Sequence, residues 1–524
     1  MNNPVCSDKN KKNSCRQKLF HDIFLFFAVV LWFGLFAWYD VDWHHDGIML
    51  GAVAQVLEQK VLFRDIFCQY GPLSIWIQCV PAALFGAETL VIRLTTVVFY
   101  GFIAILGTRI WSRFVKAPFL WIWYFCFFAL CPFYLVSFHP WSSVYALFFM
   151  LLGLEFQLRF LEDPALHGRL AMWSGVCAAA AFLCRTPCGV VTFAAGTIVM
   201  LLYAAAGKKE KRFYGIKVYT GGAVAVLALF AAYLLAAGAW EDYWLQCFSY
   251  VYKFASGSSG GNFLRGFLYN VSTDLDPYGT DCWIFVLFAV ITAAVLAVTG
   301  WKVCFRRENT EKSLSFLAVV LLCAASLHQY FPVPCVRHFW WAAIPAFGLY
   351  ALTAQKIWAL TCKKYMRVLL LCCLFAPLAS PCLSRAVSVA GLAGNISQMQ
   401  ICRLPGMRYS LVLKEENKFL QGMSDAFNAQ PAEIRNRGVI NNTPDGLFCC
   451  MMPLPPKYYH PMFVNWYDNV YADYYQAVRY TLGTQRPMIL STMVDHIGSY
   501  ELVFTGRRRN KTFWLFAPLP VDGF

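Results

Sequence analysis

The chain has 524 residues, 59% of them hydrophobic and 14% charged, with 44 Lys and Arg against 29 Asp and Glu. Soluble domains carry roughly 25% charged residues, and here the apolar residues gather into runs long enough to cross a bilayer. A soluble enzyme, a disordered regulator and a small disulfide scaffold are excluded. The formal charge of +15 would suggest nucleic acid in a soluble chain. In a membrane protein it first marks the basic loops that set orientation, and no nucleic acid is expected.

Residues 1–22 form a basic tail (Lys9, Lys11, Lys12, Arg16, Lys18) ahead of the apolar run 23–38. No small-x-small cleavage site follows, so the run reads as a retained helix with a cytoplasmic tail. Further apolar runs cover 117–135, 141–158, 170–184, 188–206, 217–238, 282–304, 313–331, 336–354 and 367–383. The region 72–111 holds two runs parted by Gly86, Ala87 and Glu88. Two crossings there would put Arg109, Arg113 and Lys116 outside, against the positive-inside rule, so part of 72–88 reads as interfacial or re-entrant. The clusters at 208–212, Arg306-Arg307 and Lys363-Lys364 then all fall inside. About eleven crossings follow for an α-helical polytopic domain over 23–383, with loops 39–71 and 239–281 outside.

Residues 384–524 differ, because charges return and turn residues appear (Asn442-Thr443-Pro444-Asp445-Gly446). An amphipathic helix is expected at 415–429, strands at 447–452, 488–492, 502–505 and 512–517, and a helix at 468–482, which together make a small extracytoplasmic α/β domain. It has no GxGxxG, P-loop or nucleophile elbow. Most cysteines lie in apolar runs and read as small hydrophobes. Cys449 and Cys450 are candidates for a disulfide if they face an oxidising compartment.

The chemistry concentrates after the first helix, in Asp40-Val41-Asp42-Trp43-His44-His45-Asp46-Gly47. The segment 48–62 has helical spacing with an apolar face, which suits an interfacial helix, and Arg64-Asp65 follows. A carboxylate here suits general-base activation of an acceptor, and a phosphate leaving group needs cations. The candidate outer cations are Arg64, Arg185 and Arg337-His338, while Arg93 sits near a helix end. Each has a structural reading as well. Asp40 and Asp42 fit helix caps, Arg185 and Arg337-His338 fit helix ends, His139 fits a turn, and Arg507-Arg508-Arg509 fits a solvated loop. The sequons at Asn395 and Asn510 occur at chance frequency.

The pattern resembles the GT-C glycosyltransferases, in particular bacterial relatives of protein O-mannosyltransferases and of the aminoarabinose transferase that modifies lipid A (family 39-like). It is carried by the acidic motif after the first helix, the gap to Arg64-Asp65 and the aromatic-Gly-Pro at Tyr70-Gly71-Pro72. Phe85-Gly86 ahead of Arg93 and Arg337-His338 before Pro345 continue it. The resemblance spans most of 20–350 and leaves the C-terminal segment uncovered. It implies transfer of a sugar from a polyprenyl-phosphate carrier to a lipid, protein or glycan acceptor on the outer face of a bacterial inner membrane. Asp46 would be the general base, with Asp42, His44, His45 and Asp65 as supporting or acceptor-binding groups. Arg64, Arg185, Arg337 and His338 would bind the donor phosphate. Gly47 departs from the family pattern, which often has a second carboxylate there. A divalent metal stays open, since Asp42, His44, His45, Asp46 and Asp65 are suitable donors while some members of the group need none. Two other classes compete. A transporter or flippase of a lipid-linked substrate would suit the break at Pro187, although no matching half is found. A glycan-assembly scaffold would suit an acidic loop that proved dispensable.

Overall fold

The computed structural model describes residues 5–116, 120–130, 140–206, 213–253, 280–306, 310–330, 336–360, 363–456, 458, 460 and 472–520. The helices begin with α1 (Val5–Ala37), α2 (His45–Leu57), α3 (Pro72–Phe85), α4 (Thr89–Trp111), α5 (Leu120–Leu130) and α6 (Ser142–Glu162). They continue with α7 (Gly168–Cys184), α8 (Thr186–Ala206), α9 (Tyr214–Ala236), α10 (Thr280–Cys304) and α11 (Glu311–Ser326). After these come α12 (Val336–Ala343), α13 (Phe347–Trp358) and the 32-residue α14 (Lys364–Asn395).

Seven helices among the described residues are long and apolar enough to cross a membrane: Gln17–Ala37, Thr89–Trp111, Ser142–Glu162, Thr186–Ala206, Tyr214–Ala236, Ile284–Cys304 and Glu311–Tyr330. The chain is therefore an integral membrane protein. Four of the expected crossings, 117–135, 170–184, 336–354 and 367–383, are not among these seven helices; the last lies within α14, where the side chains of 377–381 are outside the described residues. α3, in the stretch expected to be interfacial or re-entrant, has 14 residues and spans about 21 Å, short of a hydrocarbon core of about 30 Å. α7 has 17 residues. The run 336–354 is split into α12 and α13 by a 3₁₀ turn at Ile344–Ala346, where Pro345 has no N–H to continue an α-helix. Only 120–130 of the run 117–135 is described.

The C-terminal region holds β1 (Met399–Ile401) and β2 (Leu411–Leu413), an antiparallel pair. It then holds α15 (Lys414–Asn428), β3 (Val439–Asn442), α16 (Ala472–Gln485), β4 (Met488–Ser491), β5 (Tyr500–Arg508) and β6 (Lys511–Pro518). The four-stranded sheet runs β3-β4-β6-β5, with β3 parallel to β4 and the other pairs antiparallel. Residues 447–452 are not the expected strand but largely a 3₁₀ turn, Gly446–Cys450. Leu447 and Phe448 are both buried, so the alternation that a half-buried strand needs is missing.

This region shares one hydrophobic core with the membrane helices. Trp43 of the first loop packs on Phe448, and Phe448 packs on Phe513 of β6. α2 lies inside that core rather than along a surface: Met49, Leu50 and Val53 are buried and the 446–450 turn covers them. A Cβ at Gly47 would lie 2.2 Å from the backbone nitrogen of Leu447, and one at Gly51 would lie 2.7 Å from Cys449 Sγ. Gly47 thus stands where a second carboxylate would have no room. Cys449 and Cys450 are free thiols and act as small packing groups against glycines, the latter beside Gly406.

Candidate active site

The first loop is built around Arg93, which enters from the first turns of α4. Its Nη1 donates to the carbonyls of Ala37 (3.2 Å), Tyr39 (3.0 Å) and Asp40 (2.7 Å). These carbonyls belong to the end of α1 and the turn after it, where Asp40 takes a left-handed φ of 51°. Asp tolerates that region better than most residues. The rest of the guanidinium binds Asp46: Nε donates to Oδ1 (3.3 Å) and Nη2 to Oδ2. Both side chains are fully buried. Burial pushes the Asp46 carboxyl up from 3.8 to about 6, against the opposing pull of Arg93, so it stays ionised at neutral pH.

Asp42 and Asp46 brace the start of α2 reciprocally. Asp42 Oδ1 accepts the N–H groups of His44 (3.1 Å) and His45 (2.8 Å), while the Asp42 N–H donates to Asp46 Oδ2 (2.8 Å). This is the logic of a capping box, with carboxylates favoured by the helix N-terminus. The other oxygen of Asp42 lies 3.0 Å from His45 Nδ1. An ionised carboxylate only accepts, so Nδ1 carries the proton. These two side chains keep 15% and 27% of their exposure, in contrast to the sealed Asp46.

The pair opens toward aromatic rings and a cation. Trp141 meets the His45 ring edge-on at 5.1 Å and the Tyr70 ring at 4.9 Å. Two residues on, Ser143 Oγ accepts from Nη1 of Arg185, which lies between α7 and α8. Beside it, Cys188 Sγ is 3.8 Å from His328 Nε2. Trp141 thus joins His45 and Tyr70, and Ser143, two residues along the same segment, holds Arg185.

Other expected site residues stand elsewhere. His44 turns away, with Nδ1 donating to the Pro444 carbonyl at 2.8 Å; burial lowers its pKa, which favours this neutral form. Arg64 and Asp65 bind each other (2.9 and 2.8 Å), and Arg64 also donates to the Ala237 carbonyl. Asp65 further accepts the Val61 N–H, and Arg64 holds its carboxyl below the usual range. Among the described residues no hydrogen bond or ion pair links them to Asp42, Asp46 or Arg185. His338 packs near Trp341. Arg337 is in the first turn of α12, but its side chain, like His139 and residues 254–279 of loop 239–281, lies outside the described residues.

No group of three or more His, Cys, Asp and Glu converges to hold a metal among the described residues. The five proposed donors are divided between Arg93, Arg64, Pro444 and the α2 cap. Arg93, which anchors the site, and Arg508, which joins it from β5, are absent from the expected set. Arg508 is no solvated loop residue. It donates to Glu416 (2.6 Å) and Asp445 (2.7 Å) and lies over the Trp43 ring at 4.3 Å, while Trp43 Nε1 also donates to Glu416 (2.8 Å). A charged residue isolated in an apolar helix was the available sign for Arg93; nothing local marks Arg508.

Neither a family model nor a curated protein matches the sequence. Solved structures similar to this chain include the archaeal oligosaccharyltransferase AglB from Archaeoglobus fulgidus in complex with an inhibitory peptide and a dolichol-phosphate. That likeness has a TM-score of 0.47 and 12% identity, covering 91% of this chain and 69% of that one. ArnT from Cupriavidus metallidurans is also similar in its apo state, at a TM-score of 0.41 and 12% identity over 94% and 97% of the two chains. Its form bound to undecaprenyl phosphate gives a TM-score of 0.38 and 13% identity over the same shares.

Proposed function

We propose that the chain is a membrane glycosyltransferase that moves a sugar from a polyprenyl-phosphate carrier to an acceptor hydroxyl, with the first-loop carboxylates supplying the base. The observation that carries this reading is the division of labour between two carboxylates one helical turn apart. Asp42, with His45, keeps part of its exposure, and Asp46 is sealed against Arg93. An acid–base pair at the mouth of a buried ion pair suits proton removal from an acceptor. Arg185, held by Ser143 two residues after the Trp141 that meets His45, is the cation for the departing phosphate. The proton leaves the acceptor oxygen for the Asp42–His45 pair as that oxygen attacks the anomeric carbon, and the bond to the carrier phosphate breaks with its electrons on the phosphate.

In the sequence, Asp46 is the natural candidate for the base. Its geometry favours a different part in the same proposal: it is fully buried against a guanidinium, and its charge fixes Arg93 and the Asp42 backbone. Variants separate the roles. Purified protein is supplied with a radiolabelled polyprenyl-phosphate sugar, and transfer is measured beside translocation. Asp42→Asn is expected to abolish transfer. Asp46→Asn combined with Arg93→Met removes both buried charges and is expected to retain part of it. Loss of transfer in a folded double variant, with activity kept in Asp42→Asn, would return the base to Asp46. Translocation without transfer by the unaltered protein would replace the enzyme reading with transport.

A further inference from the structure

The β1–β2 ribbon hangs from the ends of two membrane helices, α1 and α4, and of α14. α14 runs into β1 through one 3₁₀ turn, Ile396–Gln398. In β2, the Leu411 N–H donates to the Trp38 carbonyl (2.7 Å), and the Leu411 carbonyl accepts from the Asp40 N–H (2.8 Å), at the end of α1. The Gly406 carbonyl accepts both the N–H (2.9 Å) and the Oγ1 (2.7 Å) of Thr89, the first residue of α4. Apolar spans end where hydrocarbon gives way to headgroups, so these attachments hold the ribbon at headgroup depth.

The ribbon is two-faced. Met399, Cys402 and Val412 are buried, while Ile396, Ile401, Tyr409 and Leu413 point out; Ile401 and Tyr409 each keep 57% of their exposure. Tyr409 sits at φ 72°, a region that an aromatic residue rarely adopts. Exposed Arg403, Arg408 and Lys414 stand among these residues; Arg408 pairs with Glu88 at 3.5 Å and Lys414 donates to the Ser397 carbonyl at 2.9 Å. The outward apolar side chains of α1 (Leu31, Leu35, Trp38) and of α14 (Leu383, Val387) carry the same character along the helices that hold the ribbon. Aliphatic and Tyr side chains at the acyl boundary, with cations beside them, are the composition of an interfacial element.

We propose that the β1–β2 ribbon is seated in the headgroup layer of the bilayer, with Ile401, Tyr409 and Leu413 at the acyl boundary and Arg403 and Lys414 on lipid phosphates, anionic headgroups being preferred. The seat bears on the first loop, because Leu411 holds Asp40, two residues before Asp42. The proposal does not depend on sugar transfer. A benzophenone amino acid placed at Ile401 or Tyr409 of the full-length protein, in lipid nanodiscs, tests it. Lipid adducts are expected at both positions, as at Leu35 of α1, and not at Leu502 toward the far end of β5. Their yield rises with the phosphatidylglycerol fraction. Arg403→Gln with Lys414→Gln cuts the preference for phosphatidylglycerol over phosphatidylcholine by about fivefold per charge. Adducts at Leu35 with none at 401 and 409, or adducts there to protein instead of lipid, would overturn the seat. An unchanged lipid preference in the double variant would overturn the anionic headgroup as its ligand.

Discussion

Two Arg–Asp pairs flank α2, and they share chemistry but little else. In the first turn of that helix, Asp46 is fully buried with Arg93, and the pair joins α4 to α2. After it, Arg64 and Asp65 are neighbours in sequence and largely in solvent, at 47% and 33% exposure. A desolvated pair cannot lose one member without stranding the other, whereas an exposed pair exchanges its partner for water. The identity of the residues therefore says less about their work than the dielectric around them does.

The sharpest way to break this contrast is Arg93→Met, which strands the Asp46 charge and frees three carbonyls. Transfer should vanish and stability fall by about 3–5 kcal/mol, read as the thermal midpoint in detergent. Adding Asp46→Asn should recover most of that midpoint. Next comes pH. Protonation of Asp46 dissolves its hold on Arg93, so transfer should fall about tenfold per pH unit below about 6. The sign for stability is opposite. The folded carboxyl binds its proton more readily than the unfolded one, so between about 6 and 3.8 falling pH makes Asp46 favour the folded state. A pH–rate profile beside a pH–stability profile checks both slopes.

Arg508→Ala comes third. It leaves Glu416 and Asp445 without their cation and uncovers Trp43, costing about 3 kcal/mol, and transfer should suffer because Trp43 follows Asp42. Gly47→Ala comes fourth: its Cβ meets backbone, and the expected cost is about 1–3 kcal/mol by thermal unfolding. Arg64→Gln should leave the midpoint unchanged; a large loss there would erase the distinction between the two pairs.

Much of this was legible residue by residue and little of it pair by pair. Asp46 and Arg93 each stand out as polar groups in an apolar chain, yet a separation of 47 residues hides their contact. α15 and β4 to β6 follow from periodicity. β1 and β2 escape it because three-residue strands are shorter than any usable pattern. The burial of α2 is equally invisible, since its apolar face fits a bilayer surface as well as a protein lid. Gly47 looks like a lost carboxylate until Leu447 is seen against it.

That contact joins residues 400 apart in a chain of 524, as does the neighbouring one between His44 and Pro444. During synthesis the first loop emerges long before the turn that roofs it. Closing so distant a contact is among the slowest steps in folding. The nascent chain must therefore insert its helices with an unfinished loop, and competence arrives only when the last strands are made. A ribosome that stopped before residue 446 would release a membrane protein with every span in place and no roof over its first loop.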